Sequence, residues 1–125
     1  MANRVLVVDD SMLMRKMICE SLADAGWEIA AEGRDGAEAI RLYDDLRPDA
    51  VTMDIVMPGT DGIYALEKIM ELDPRARVVV VSALNQTKLI SQAIRKGAQD
   101  FIAKPFLPEQ LQETLRGCLP ETVSN

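Results

Sequence analysis

The chain has 125 residues and carries 20 acidic against 14 basic side chains, which gives a net charge of −6. This length suits one compact domain and leaves no room for a second core of ordinary size. The acidic balance argues against binding to nucleic acid or to an anionic membrane, since both are held mainly by Lys and Arg. Proteins, cations or both are the expected partners.

Two cysteines, Cys19 and Cys118, lie far apart in the sequence, and histidine is absent. Zinc sites and His-based catalysis are therefore not expected. A disulfide between the two cysteines stays open, but two buried free thiols in a reducing cytosol is the plainer interpretation. The first apolar run has about five residues, too few for a signal peptide or a membrane span. We therefore expect a cytoplasmic protein.

Five short apolar runs predict five strands that are buried on both faces. They occupy residues 5–8, 27–30, 50–53, 78–81 and 101–103. Apolar residues at helical spacing follow each run. These stripes are Met14, Met17, Ile18 and Leu22; Ala39, Ile40 and Tyr43; Ile63, Leu66, Ile69 and Met70; Ile90, Ala93 and Ile94; and Leu111, Leu115 and Leu119. The methionines on them are predicted to fill the core.

The turn residues agree with this alternation of strands and helices. Gly26 and Gly97 stand where helices should end, and Pro108 stands where a first helical turn could begin. Strand and helix in repeated alternation predict parallel strands joined by right-handed crossovers. The expected fold class is α/β, a flavodoxin-like doubly wound (βα)5 fold with a five-stranded parallel sheet in the order 2-1-3-4-5.

Polar side chains follow four of the predicted strands. Asp9 and Asp10 follow the first, Asp54 the third, Ser82 the fourth and Lys104 the fifth. Because the carboxyl ends of parallel strands share one edge of the sheet, these side chains should be neighbours.

Each of these residues also has a plain structural interpretation. Asp9, Asp10 or Ser11 could cap the following helix, Ser82 could bond at a strand end, and Lys104 could be a surface charge. Asp54 could begin a turn, but Pro58, Gly59, Asp61 and Gly62 already supply turn and cap chemistry there. A functional role is therefore favoured for Asp54.

Taken together, the side chains point to a metal and a phosphate. Three adjacent acids would force one to take up a proton unless a divalent cation satisfies them. Mg2+ suits an open acidic edge, because it binds through one or two carboxylates together with phosphate oxygens. Lys104 offers a point charge to a phosphate and Ser82 a hydroxyl donor.

The nucleophile is found by elimination. Histidine is absent, and both cysteines fall within helical stretches away from this edge. A carboxylate remains, and Asp54 on the central strand is best placed to attack phosphorus and form an aspartyl phosphate. The residues thus predict a Mg2+-assisted phosphoryl acceptor.

Four segments carry a family resemblance: "VLVVDDS", "DAVTMDIVMPGTDG", "VVVVSA" and "GAQDFIAKPF". In order and position they make nearly the whole chain resemble the receiver domains of two-component response regulators, in particular the single-domain, CheY-like chemotaxis type. The stretch "DDSMLMRKMI", with Met14 and Arg15, is similar to the chemotaxis subgroup. The receiver domain would span residues 1–120, with residues 121–125 as a short tail.

The resemblance implies roles for the individual residues. Asp54 would accept a phosphoryl group from a sensor histidine kinase or phosphotransfer protein. Asp10, Asp54 and the backbone carbonyl of Val56 would coordinate Mg2+, and Asp9 would assist through a water. Lys104 would pair with the phosphoryl group, and the bond from Lys104 to Pro105 would be cis. The domain would catalyse its own phosphorylation and dephosphorylation only.

The resemblance also implies a switch. Ser82 would move toward the phosphoryl group and Phe101 would follow into the space vacated. This chain departs from many relatives in three ways: Phe101 has no hydroxyl, Val56 and Leu84 are apolar, and Ser82 lacks the methyl of threonine. The departures leave the phosphorylation site whole, and they bear on hydroxyl-mediated readout and on the phosphoryl lifetime.

Output would pass through a surface, since the last residues, "PETVSN", are too few for an effector. The face of the fourth helix, fifth strand and fifth helix resembles the family's docking site for targets. Lys88, Arg95 and Lys96 could meet an acidic partner there, although a merely solvated helix face stays open. A monomer is expected.

Several rival interpretations remain. A Mg2+-dependent phosphohydrolase would carry an Asp-x-Asp pair after the first strand, and the sequence there is Asp9, Asp10, Ser11. A nucleotide or flavin binder would need a phosphate loop in that place, where acids repel phosphate. An interaction domain that is never phosphorylated would not need Asp10, Asp54 and Lys104. An excised receiver of a longer regulator stays open.

Overall fold

The computed structural model describes residues 2–57 and 62–120. Within them, strands and helices alternate along the chain as the sequence predicts. The strands are β1 (Arg4–Val8), β2 (Glu28–Gly33), β3 (Ala50–Asp54), β4 (Val78–Ala83) and β5 (Asp100–Lys104). The helices are α1 (Met12–Asp24), α2 (Gly36–Leu46), α3 (Gly62–Leu72), α4 (Thr87–Arg95) and α5 (Pro108–Gly117).

The strands form one sheet in the order β2-β1-β3-β4-β5. Every neighbouring pair is parallel. The predicted flavodoxin-like (βα)5 fold and its strand order are confirmed.

The core has two layers, one on each face of the sheet, because alternate strand residues point to opposite sides. On β1, Leu6 and Val8 pack toward α2, α3 and α4, whereas Val5 and Val7 pack toward α1 and α5. Both layers bury apolar side chains almost completely. This two-sided burial is what the continuous apolar runs of the central strands require.

The prediction that all five strands are buried on both faces is wrong for the two edge strands, β2 and β5. β2 has a single neighbour, and most of its residues are exposed or half-buried. β5, at the other edge, is also mostly accessible. Met17 is a further correction, because its residue is 45% exposed and lies outside the core.

The turn residues behave as predicted where the structure describes them. Gly26 and Gly97 have positive φ angles of 92° and 114°, which glycine adopts at little cost, and α5 begins at Pro108. Both cysteines are free, and Cys118 is buried as predicted, but Cys19 is only half-buried. Pro58, Gly59 and Asp61 lie outside the described residues.

Candidate functional site at the carboxyl edge of the sheet

The parallel sheet brings the predicted site residues to one edge. Asp9 comes directly after β1, and Asp54 is the last residue of the adjacent strand β3. Ser82 lies near the end of β4, and Lys104 ends β5. Residues that are up to 95 positions apart in the sequence therefore meet in a single cluster.

Three carboxylates form the acidic part of the cluster. Asp9, Asp10 and Asp54 each offer an oxygen, and these oxygens lie within 4.8 Å of one another. Asp9 and Asp54 are buried, with 1% and 7% exposure, whereas Asp10 is exposed. A set of oxygen donors that is open to solvent on one side fits a hard cation such as Mg2+.

Lys104 bridges the two buried acids. Its Nζ donates to Asp9 Oδ2 at 3.1 Å and to Asp54 Oδ2 at 3.4 Å. Burial works against the charged form of Lys104, but Asp54 and Asp9 outweigh it and raise the pKa of the lysine. The ammonium therefore stays charged beside the carboxylates, as a phosphate-binding group must.

Asp54 differs from an ordinary surface aspartate. Burial raises its pKa, and Asp9 adds to this, although the Val56 N–H and Lys104 act in the opposite direction. Asp54 Oδ1 accepts a hydrogen bond of 3.1 Å from Val56 N–H, so the side chain does have a local turn contact. A buried carboxylate at the end of a central strand is a suitable nucleophile.

The structure decides which residue caps α1. Ser11 Oγ accepts from Met14 N–H at 3.2 Å, so Ser11 is the N-cap. Asp9 Oδ1 instead accepts from Ser11 N–H at 2.9 Å, which fixes the turn between β1 and α1. The capping interpretation therefore does not account for Asp10, whose carboxylate faces the cluster.

Ser82 is buried at 2% exposure, but its hydroxyl bonds locally, donating to the Ala83 carbonyl at 3.3 Å. Phe101 on β5 is 40% exposed. The peptide bond between Lys104 and Pro105 is cis, as the resemblance implies.

Arg15 is a residue of this region to which the sequence analysis gave no role. It is buried at 8% exposure, and its Nη1 donates to the backbone carbonyl of Asp9 at 2.7 Å. Its Nε donates to Glu32 Oε1 on β2 at 3.2 Å. In the sequence, Arg15 stands early in a helix and within the stretch that resembles the chemotaxis subgroup, and neither feature indicates burial, because charged residues are usually solvated.

The charged residues of the predicted docking face differ in their contacts. Lys96 lies 3.7 Å from Glu67 on α3 and is therefore paired within the chain. Lys88 and Arg95 on α4 make no ion pair with any residue that the structure describes. They line the same surface groove on α4, where they are open to a partner.

Comparison with known proteins decides the family. Residues 5–116 match the response regulator receiver domain. The chain belongs to the response regulator receiver domain family. The receiver is 47% identical to the chemotaxis protein CheY of Thermotoga maritima over 115 residues, which cover 92% of this chain and 96% of that protein. It is 44% identical to Bacillus subtilis CheY over 119 residues, covering 95% and 99%.

A solved structure agrees with the sequence comparisons. The crystal structure of the CheX-CheY-BeF3-Mg complex from Borrelia burgdorferi contains a chain that superposes with a TM-score of 0.88 at 37% identity. The match covers 92% of this chain and 87% of that chain. The predicted recognition as a CheY-like receiver is confirmed.

This receiver domain is therefore a component of two-component signal transduction, related to chemotaxis proteins. It is a signalling domain of the receiver type. Among the helices that the structure describes, none is both long and apolar enough to cross a membrane.

Proposed function

We propose that this receiver accepts a phosphoryl group on Asp54 in a Mg2+-dependent reaction and that phosphorylation changes its protein-binding surface. The observation that carries the proposal is the contact of Lys104 Nζ with both Asp9 and Asp54. It brings a phosphate-binding cation next to a buried carboxylate whose pKa is raised. A merely structural ion pair would not need a third carboxylate, Asp10, beside it.

The reaction is a direct transfer between two proteins. One carboxylate oxygen of Asp54 forms a bond to phosphorus while the bond from phosphorus to the donor's imidazole nitrogen breaks. The electron pair of the broken bond stays on that nitrogen. The ammonium of Lys104 then binds the phosphoryl oxygens, so its contact with Asp9 weakens. Ser82 donates its hydroxyl to one of the phosphoryl oxygens.

The acidic cluster would hold the metal. Asp10, Asp54 and the Val56 carbonyl are its proposed ligands, and Asp9 would assist through a water. When bound, Mg2+ supplies positive charge that offsets the charge on the phosphoryl oxygens. The related structure from Borrelia burgdorferi is named as a complex with Mg and BeF3, which supports the same ligand class here.

The proposed partners follow from the family and the surface. The phosphoryl donor is a sensor histidine kinase or a phosphotransfer protein, and the target docks on the α4-β5-α5 face. Phe101 offers an exposed aromatic side chain to that target, and Lys88 and Arg95 offer two cations without an ion pair among the described residues. In this proposal the receiver spans residues 1–120, acts as a cytoplasmic monomer, and changes its face when Ser82 and Phe101 move.

The decisive experiment is phosphorylation by a small donor. Incubated with Mg2+ and acetyl phosphate, the protein should gain the mass of one phosphoryl group, and the label should be lost at high pH. Asp54→Ala should gain nothing. Asp45→Asn is the matched control, because Asp45 is an exposed carboxylate on α2 away from the site, and it should be labelled like the unaltered protein.

Two results would contradict the proposal. An unaltered protein that stays unlabelled would favour an interaction domain that is never phosphorylated. Rapid multiple turnover on general phosphate esters would favour a phosphohydrolase.

A further inference from the structure

Arg15 links the turn that carries two of the acids to the body of the protein. The residue is 8% exposed, and its guanidinium is held between β1 and β2. Its Nη1 donates to the Asp9 carbonyl at 2.7 Å, a short and charge-assisted hydrogen bond. Its Nε donates to Glu32 Oε1 at 3.2 Å. Arginine can make both bonds at once because its donors are fixed in one plane.

The carbonyl that Arg15 holds belongs to the peptide that joins Asp9 to Asp10. This position matters because Asp10 is exposed and its carboxylate accepts no hydrogen bond from the residues that the structure describes. The location of Asp10 is therefore set by its backbone. Two other bonds fix that backbone: Asp9 N–H donates to the Gly33 carbonyl at 3.0 Å, and Ser11 N–H donates to Asp9 Oδ1 at 2.9 Å.

We infer that Arg15 is a positioning residue for the cation site. It holds the peptide between Asp9 and Asp10 so that the Asp10 carboxylate stays within reach of Asp54. The inference rests on the proposed function, since it concerns the cation that the same acids would bind. Mutation of a group that orients a metal ligand by hydrogen bonding commonly lowers metal affinity by about tenfold or more.

The charge of Arg15 and its hold on the peptide predict opposite changes in Mg2+ affinity when Arg15 is neutralised. Arg15 is a cation behind an acidic cluster, so its charge alone repels Mg2+, and neutralising it should tighten binding. If Arg15 acts by holding the peptide, neutralising it should weaken binding. The sign of the change in affinity therefore separates the two roles.

The test is the Mg2+ dissociation constant, measured by calorimetry on the full chain. Arg15→Met keeps an unbranched stem and should weaken Mg2+ binding by roughly tenfold. Arg15→Lys keeps the charge but loses the planar pair of donors, and it should weaken binding less. Lys16→Met is the matched control: it removes an exposed cation of the same helix that makes no hydrogen bond or ion pair with the described residues, and the affinity should stay within about threefold of the unaltered protein.

Folding is checked separately by circular dichroism and by urea unfolding without Mg2+. A variant that only loses stability shifts its urea midpoint while the folded form binds Mg2+ as before, and that result would overturn the inference. So would equal or tighter binding by Arg15→Met. Should Arg15→Met not fold, Arg15→Lys decides, and an affinity equal to that of the unaltered protein refutes the positioning role.

The proposed function can fail independently. If the unaltered protein binds no Mg2+, the proposed function is refuted and the role of Arg15 with it. If the unaltered protein binds Mg2+ and the Arg15 variants bind equally well, only the role of Arg15 is refuted.

Discussion

Replacing Asp54 with asparagine should raise the free energy of unfolding of the metal-free protein by about 1 kcal/mol near neutral pH, because a buried charge is removed while Lys104 keeps Asp9 as its partner. Asparagine keeps the shape of the side chain, and its Oδ1 can still accept from Val56 N–H. What it removes is a negative charge from a buried position. Stabilisation by loss of the proposed phosphoryl acceptor would show that the acid is retained for function at a cost in stability.

The size of the effect follows from the distances. Asp9 and Asp54 oxygens within 4.8 Å repel by about 3.5 kcal/mol at an effective dielectric constant of about 20. Asp10 is exposed and adds roughly 1 kcal/mol or less. Lys104 Nζ, at 3.4 Å, attracts Asp54 by about 5 kcal/mol. These terms nearly cancel, so the remaining cost of Asp54 is the burial of its carboxylate.

The pH dependence gives a second test of the same reasoning. Burial raises the pKa of Asp54 above its usual value of 3.8, so the folded state holds the proton more tightly than the unfolded state. The unaltered protein therefore loses stability, relative to the asparagine variant, as pH rises from about 3.8 through the raised pKa. The gain from Asp54→Asn should be absent near pH 3 and complete at neutral pH.

Urea unfolding in the presence of a chelator measures this difference. The single tryptophan, Trp27, is 9% exposed and reports loss of the core. Glu20→Gln, which removes one exposed charge on α1, should change stability by less than about 0.5 kcal/mol. A less stable Asp54→Asn protein, or a gain that persists undiminished at pH 3, would refute the reasoning.

Three further predictions concern the surroundings of the site. Asp10→Asn should weaken Mg2+ binding in calorimetry more than Asp9→Asn does, because Asp10 is the proposed direct ligand; the reverse order would exchange the two roles. Gly62→Ala should destabilise the protein by about 1–3 kcal/mol in urea unfolding, because its Cβ would lie 2.6 Å from the Asp54 carbonyl oxygen. Gly33→Ala, whose Cβ would lie 3.4 Å from its nearest neighbour, is the control, and an equal loss there would contradict the reason given. Thr52→Val should stabilise the protein by about 1 kcal/mol, because Thr52 Oγ1 is buried without a hydrogen-bond partner among the described residues, and a loss of stability would indicate a partner for that hydroxyl.

The fold could be predicted from the sequence because burial on both faces leaves a continuous apolar run. The central strands β1, β3 and β4 are such runs. The edge strand β2 is less buried than its apolar residues predict. Those residues do not show whether the strand has a neighbour on one side or on both. Strand position within a sheet depends on the assembled topology and not on the local pattern.

The acidic cluster could also be predicted, because parallel strands bring their last residues together whatever their separation in the sequence. The burial of Arg15 could not be predicted, because it depends on contacts with the Asp9 carbonyl after β1 and with Glu32 on β2. The prediction that Met17 fills the core was wrong for a related reason. It lies on the apolar stripe of α1, but it is 45% exposed and only other residues of that stripe pack into the core.

The charge balance of the cluster indicates separate roles for the carboxylates and for Lys104. Three carboxylates and one ammonium leave two negative charges, which one divalent cation balances. The proposed phosphorylation of Asp54 would replace one negative charge with about two, so Lys104 would be needed more after the transfer than before it. Lys104→Met should therefore tighten Mg2+ binding and at the same time slow labelling by acetyl phosphate. Weaker Mg2+ binding in that variant would mean that Lys104 acts mainly by holding Asp9 and Asp54 in place.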